Sequence, residues 1–242
     1  LVLVWMAGRA AMLFPAPLGL ALALEAAFLP LLLVVALREI IAGRNWKNLK
    51  IVLPLAVLSL ANGWFHIAVA GGGDSAAAGR LAVGCWIVLI ALVGGRIIPS
   101  FTRNWLARHG SKILPAPFGR FDQAAILVTI LALVIWVIAP FAAVTAIACL
   151  AAAILQAVRL WRWQGWRAAR EPIVLILHAA YGFIVLGLVA IGAAGAGLMT
   201  QASAVHVFTV GAIGTMTLAV MTRAALGHTG RPILASPATV AA

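Results

Sequence analysis

The chain has 242 residues, 65% of them hydrophobic against roughly 45–50% in an average soluble domain, and only 9% are charged. A soluble fold of this length has too little interior to hide that much apolar surface, so lipid must be the solvent for much of it. The net charge of +12 would point to nucleic acid in a soluble protein, but its distribution along the chain accounts for it without that partner.

Leu1 to Phe14 has the composition of the end of a hydrophobic helix. The chain starts without Met and shows no signal-peptide pattern with a cleavage site. The expectation is a single transmembrane helical domain over 1–242 that forms the C-terminal part of a longer protein. A spanning helix needs about 20 mostly apolar residues. Seven stretches meet or nearly meet this: Pro17–Ile41, Ile51–Gly71, Ala78–Ile98, Phe121–Ile138, Pro140–Leu160, Pro172–Leu198 and Ala202–Leu226. The expected fold class is therefore all-α, a polytopic transmembrane helical bundle of seven complete spans plus a truncated first helix. Pro140 forces a tight turn between the fourth and fifth spans, which makes them antiparallel neighbours. Gly71–Asp74 and Gly195–Ser203 read as short turns.

Basic residues alternate with the spans. Arg38, Arg44, Lys47 and Lys50 fall in one connection, and Arg96, Arg103, Arg108, Lys112 and Arg120 in the next but one. Arg159, Arg162, Arg167 and Arg170 follow in the same phase, with Arg223 and Arg231 in the tail, so fifteen of the seventeen basic residues share one side. The opposite connections hold only Arg80, and Arg9 lies in the first segment. The positive-inside rule makes the basic side cytoplasmic, which leaves the C-terminus inside. The Ile98–Arg120 connection interleaves Phe101, Trp105 and Leu106 with Arg103, Arg108 and Lys112, as a segment lying along the inner interface or an ordinary basic loop with a Trp anchor would.

Cys85 and Cys149 both sit in apolar runs, as buried small hydrophobes rather than a disulfide pair. Ionisable groups inside spans are the functional candidates, because hydrocarbon cannot satisfy them. Ser59, Asn62 and His66 are spaced by three and four and form one polar stripe on the second span. That span runs outward and the seventh runs inward, so His66 and His206 come to similar depth near the outer face. Two imidazoles at equal depth suit axial ligation of a b-type haem, or copper, with Met199 in the adjoining turn as a soft thioether. Interfacial histidines bonded to backbone or headgroups are the alternative.

His178 lies two turns into the sixth span from the inner side, one turn before Tyr181. Arg96, Arg103 and Arg223 border that level and could pair with the propionates of a haem, although topology alone already explains arginines there. Glu25 is the acid deepest in a span, fit to pair with a buried cation, carry protons or snorkel. Glu39, Asp74, Asp122 and Glu171 fall at helix ends, where capping and the helix dipole suffice. Gly94-Gly95 and Pro99 are expected to break the third span near Arg96, and irregular backbone at that depth marks the edge of a site. Gly211 and Gly214, with Thr215, suit close helix packing. No phosphate loop, HExxH or CxxC occurs.

Three stretches carry a family resemblance. One is Gly94-Gly95-Arg96-Ile97-Ile98-Pro99-Ser100-Phe101-Thr102-Arg103-Asn104-Trp105; a second runs from His206-Val207-Phe208-Thr209-Val210-Gly211 through Arg223 to His228-Thr229-Gly230-Arg231; the third is Leu177-His178-Ala179-Ala180-Tyr181. Together they resemble the NnrS family of bacterial inner-membrane proteins, and the resemblance runs over nearly the whole chain. It implies a polytopic protein that binds haem and copper and is associated with denitrification and with relief of nitric-oxide stress. The matching positions are His178, His206, His228, Arg96 and Arg223, while His66 is proposed from its stripe alone. Family members ordinarily carry further N-terminal spans with a His-rich motif of their own, so some ligands are expected outside this chain.

The leading functional expectation is a haem- and copper-binding membrane protein contributing to nitrosative-stress resistance, with nitric oxide as its small-molecule ligand and the bilayer as its surroundings. A transporter or channel lined by Glu25 and the Ser59–Asn62–His66 stripe is the second. A scaffold or assembly factor for a respiratory complex is the third. The sequence leaves open whether the protein turns over a substrate, and whether it pairs with a second copy or a respiratory partner.

Overall fold

The computed structural model describes residues 1–14, 17–230 and 235; Arg231, counted above on the basic side, lies outside the described residues. Among the described residues every regular element is a helix, as lipid demands of a chain whose backbone groups must be satisfied internally. Seven helices are long and apolar enough to cross a membrane, and a shorter apolar helix, α1 (Val2–Leu13), precedes them. The chain is thus an all-α, multi-pass membrane protein.

Its contacts gather into two compact units, 1–85 and 86–242. The first holds α1, α2 (Leu18–Ala42) and α3 (Val52–Ala70), with α2 packed on both others. α4 (Ala76–Arg108) begins in the first unit and continues into the second. The second also holds α5 (Arg120–Ile138), α6 (Ala143–Arg162), α7 (Pro172–Gly195), α8 (Gln201–His206), a π-helix (Val207–Gly214) and α9 (Thr215–His228).

α4 departs from expectation. Gly94, Gly95 and Pro99 do not break it, and the helix runs on for ten residues beyond Ile98. Proline in a helix removes one bond and crowds the carbonyl four residues back. Here that residue is Gly95, which presents no side chain of its own to the crowding. Thr102 Oγ1 donates to the Ile98 carbonyl at 2.9 Å and helps hold the turn that follows. The connection to α5 is therefore not one amphipathic segment: its first half is the end of α4, and only 109–119 is irregular.

The tight turn at Pro140 does make α5 and α6 antiparallel neighbours, closed by Ala142 N–H on Ala139 O at 3.1 Å. α7 packs along α6 on one side and along α8, the π-helix and α9 on the other. The latter face is notched reciprocally. A Cβ at Gly187 would lie 2.2 Å from the Phe208 ring, and one at Gly211 would lie 2.6 Å from the Phe183 ring. Gly211 thus acts as the close-packing residue its type suggested. The last span was expected to be one α-helix, but its middle widens into the π-helix just after His206. Such widening is rare and concentrates at functional sites.

Within the second unit the C-terminal end of α4, the start of α5, the end of α6 and the start of α7 meet at one end, tied by Ala116 N–H on Arg162 O. This basic end carries Arg96, Arg103, Arg159 and Arg162. The opposite end is closed differently: Trp136 Nε1 donates to Gln201 Oε1 at 2.9 Å, and Gln201 Nε2 donates to Pro140 O at 2.8 Å.

Candidate functional site

A continuous polar network lies inside the second unit, where hydrocarbon-like surroundings make each unpaired group expensive. At its centre is Arg159, 0% exposed. Its Nε donates to Asp122 Oδ1 at 2.8 Å, and its Nη1 donates to the Ala91 carbonyl at 2.9 Å and to Tyr181 Oη at 2.8 Å. Tyr181 donates in turn to Gln156 Oε1 at 2.6 Å, and Gln156 Nε2 donates to Thr129 Oγ1 at 2.8 Å. One guanidinium therefore bonds α4, α5 and α7 from its place on α6. Asp122 is held by its other oxygen as well, which accepts the Gly119 N–H at 3.0 Å. Arg162 reaches within 4.0 Å of the same oxygen and lies over the Phe121 ring at 4.6 Å.

Arg159 Nη2 is buried with no hydrogen-bond partner and lies against Gly95. A Cβ there would come 2.0 Å from that nitrogen, so glycine makes the space the guanidinium occupies. Gly95→Ala is expected to displace the fork from Tyr181 and Ala91 and to cost about 1–2 kcal/mol, at the lower end for overpacking because the clash falls on a side-chain tip. A thermal melt of the purified variant measures it, and an unchanged melting temperature would show that the guanidinium does not need this gap.

His178 stands beside the network, 7% exposed. Its Nδ1 donates to Val174 O at 2.9 Å, so Nε2 carries the lone pair a metal would take. That nitrogen faces Thr102 Oγ1 at 3.3 Å, and the ring is walled by Trp163 and by Gly165, where a Cβ would lie 2.4 Å from the imidazole. His178 is enclosed by protein on both nitrogens.

His206 is different. Its Nδ1 donates to Ala202 O at 2.7 Å, while the residue is exposed and precedes the π-helix. The backbone bond fixes the tautomer and turns Nε2 outward, the orientation that a second-shell contact gives a metal-binding histidine. Met199 is half-buried in the turn before α8, and His228 is exposed at the end of α9. At about 1.5 Å per residue, seventeen residues of α7 separate His178 from Gly195 and α8 returns by five, which leaves His178 and His206 on the order of 18 Å apart along the axis. They cannot be the two axial ligands of one iron.

The expected arginines divide into two places. Arg223 lies over the Phe101 ring at 3.6 Å. Arg96 and Arg103 line a 250 Å³ pocket with Ser100, Pro115 and Phe118; Arg103 Nη2 donates to Pro115 O at 3.0 Å, and Arg96 lies 5.7 Å from the Phe118 ring. In the first unit, Ser59, Asn62 and His66 are all half-buried on α3, and Ser59 donates to its own helix at Leu55 O. Glu25 is paired with Arg9 of α1, which answers its burial with a cation. Cys85 and Cys149 are free thiols, half-buried and buried. Among the described residues no group of three or more His, Cys, Asp or Glu could hold a metal ion.

Sequence reasoning missed Arg159 and Gln156 and saw one of two roles of Asp122, which does cap α5 through the Gly119 N–H and also pairs with Arg159. The signal was there: Gln156 and Arg159 are three apart on the face of α6 that also carries Cys149 and Ala152, and the Pro140 hairpin sets Asp122 and Arg159 at equal depth. A family model described as NnrS protein matches residues 1–242. Searches of curated proteins and of solved structures returned no match.

Proposed function

The chain belongs to the NnrS family, and from that premise we propose that it is a haem-binding inner-membrane protein that contributes to nitric-oxide resistance. The observation that supports it most is His206, whose Nδ1 is spent on Ala202 O and whose Nε2 is left facing outward at the head of a π-helix. A b-type haem iron held there would supply a coordination position that binds nitric oxide. The protein's own part is to fix the imidazole: the helix carbonyl sets the tautomer, and Phe208, buried two residues on, anchors the turn that carries it.

Arg96, Arg103 and Arg223 belong to the other end of the second unit, so they do not serve a macrocycle on His206. They are proposed instead as carboxylate partners for a group bound at the basic end. His66, in the first unit, is proposed as a ligand from its stripe alone. Copper is proposed from the family alone. By the positive-inside rule the basic end is proposed to face the cytoplasm.

The test is optical. Purified chain supplied with haem should show a Soret band that His206→Ala abolishes and His178→Ala retains. Equal bands in the unmodified chain and in His206→Ala would sink the assignment.

A further inference from the structure

One cleft in the second unit is used by none of the groups above. It measures about 820 Å³ and opens at the basic end, between the last turn of α4, which supplies Trp105 and His109, and the 165–171 segment, which supplies Trp166, Arg167, Arg170 and Glu171. We propose that it binds the headgroup of an anionic glycerophospholipid, with the phosphate between Arg167 and Arg170 and a headgroup hydroxyl on Glu171.

Four observations lead there. The first is position: α4 ends at Arg108 and α7 begins at Pro172, so the cleft lies where two spans end. Two of its walls are tryptophans, the residues that settle at headgroup depth. The second is rigidity. His109 stacks on Trp105 at 4.0 Å with its Nδ1 on the Trp105 carbonyl at 2.8 Å, and Trp166 packs on Trp161 at 4.0 Å. Arg167 is oriented by Nε donating to Gln164 Oε1 at 2.9 Å. The walls are set before any ligand arrives.

The third observation is an orphan. Glu171 Oε1 is buried and accepts no hydrogen bond, although it precedes α7, where its side chain could have capped the helix and does not. A buried acceptor left unmade costs free energy, and a donor brought by the ligand would remove that cost. The fourth is charge. Arg167 and Arg170 outnumber Glu171 in the lining, and Arg223 and Arg108 act electrostatically at the same place, so the cleft carries a positive surplus that an anionic headgroup answers. A zwitterionic headgroup would leave the surplus in place. Phosphate on paired guanidinium groups, a hydroxyl on the carboxylate and tryptophan beside the glycerol together describe a phosphatidylglycerol-type headgroup. A soluble glycerol phosphate has the same polar chemistry but lacks the acyl chains that would run down the spans from this depth.

Native mass spectrometry of the full chain in detergent, titrated with phosphatidylglycerol, phosphatidylethanolamine and phosphatidylcholine of matched acyl chains, tests the proposal. Phosphatidylglycerol should be retained in preference to both others, and each of Arg167→Gln and Arg170→Gln should weaken it about fivefold, as expected for one basic group at the headgroup level. Glu171→Gln removes the carboxylate charge while keeping an acceptor oxygen, so it should widen the preference for phosphatidylglycerol over phosphatidylcholine. Tryptophan fluorescence and melting temperature check that each variant is folded, and the three single variants act independently should one fail. Equal retention of the three lipids, or a folded Arg170→Gln variant with unchanged retention, would overturn the proposal. So would sn-glycerol 3-phosphate displacing the lipid at comparable concentration, because the site would then belong to a soluble phosphate ester.

Discussion

Replacing Arg159 by alanine is expected to destabilise the protein by about 3–5 kcal/mol, the cost of breaking a buried ion pair by removing one partner. The penalty comes less from the bonds lost than from what they leave behind. Asp122 Oδ1, the Tyr181 hydroxyl oxygen and the Ala91 carbonyl would all lose their donor in a place water does not reach. Arg159→Lys should recover only part of the loss, since one ammonium cannot spread its donors from Asp122 to Ala91 as a planar fork does. The double variant Arg159→Met, Asp122→Leu should be far closer to the unmodified protein than the single alanine change, because it removes the carboxylate together with its counter-charge. Chemical or thermal unfolding of the purified chain in detergent measures all three. An Arg159→Ala protein as stable as the parent would show that water reaches Asp122 and that the network is not closed.

That network also marks the boundary of what the residues alone disclose. The spans were legible because about 20 apolar residues in a row have one economical solution in lipid; each expected range meets an observed helix, most within a few residues at either end. The hairpin at Pro140 was legible because the ring forbids continuation. What went wrong at Pro99 is instructive: proline predicts a break only when the helix has something to lose there, and in α4 the residue four back is a glycine with Arg159 filling its empty side. Sequence counts every basic residue near a span end as a topological signal. Arg159 has the right sign and position for that role, yet it is turned inward by an aspartate that reads as a cap. Charge on a sequence carries no direction, and only the packed hairpin shows the two facing one another.

The histidines show the same limit from the other side. Depth along a span is one coordinate, and it separates His178 from His206. It could not show that Val174 O, Thr102 and Gly165 enclose one ring while Ala202 O leaves the other with an open nitrogen. Glu25 was read as needing a cation, a path or an escape to water, and Arg9 supplies the first of these. That pairing removes the strongest single residue from the transport reading.

Gly187→Val is expected to cost at least the roughly 3 kcal/mol that marks the upper end of overpacking in a filled interior, and to do so through the segment that carries His206. The first side-chain atom would lie 2.2 Å from a Phe208 ring that is wholly buried, with two further carbons of that ring within 3.0 Å. Phe208 must then leave its seat against Trp136, whose indole lies 6.2 Å away edge-on and holds Gln201, the first residue of α8. The disturbance passes through Gln201 and Phe208 to the short helix between them, where His206 sits. Two readouts should move together: the melting temperature falls, and the His206-dependent Soret band weakens or broadens. Phe208→Ala in the Gly187→Val background should restore part of the stability, since each change fills or empties the same space and the pair is coupled rather than additive. Gly182→Ala on the same helix is the control, because its Cβ would meet only Leu160 at 3.9 Å and alanine is the better helix former. A Gly187→Val protein that melts lower but keeps its Soret band unchanged would separate the glycine notch from the ligand and confine its role to packing.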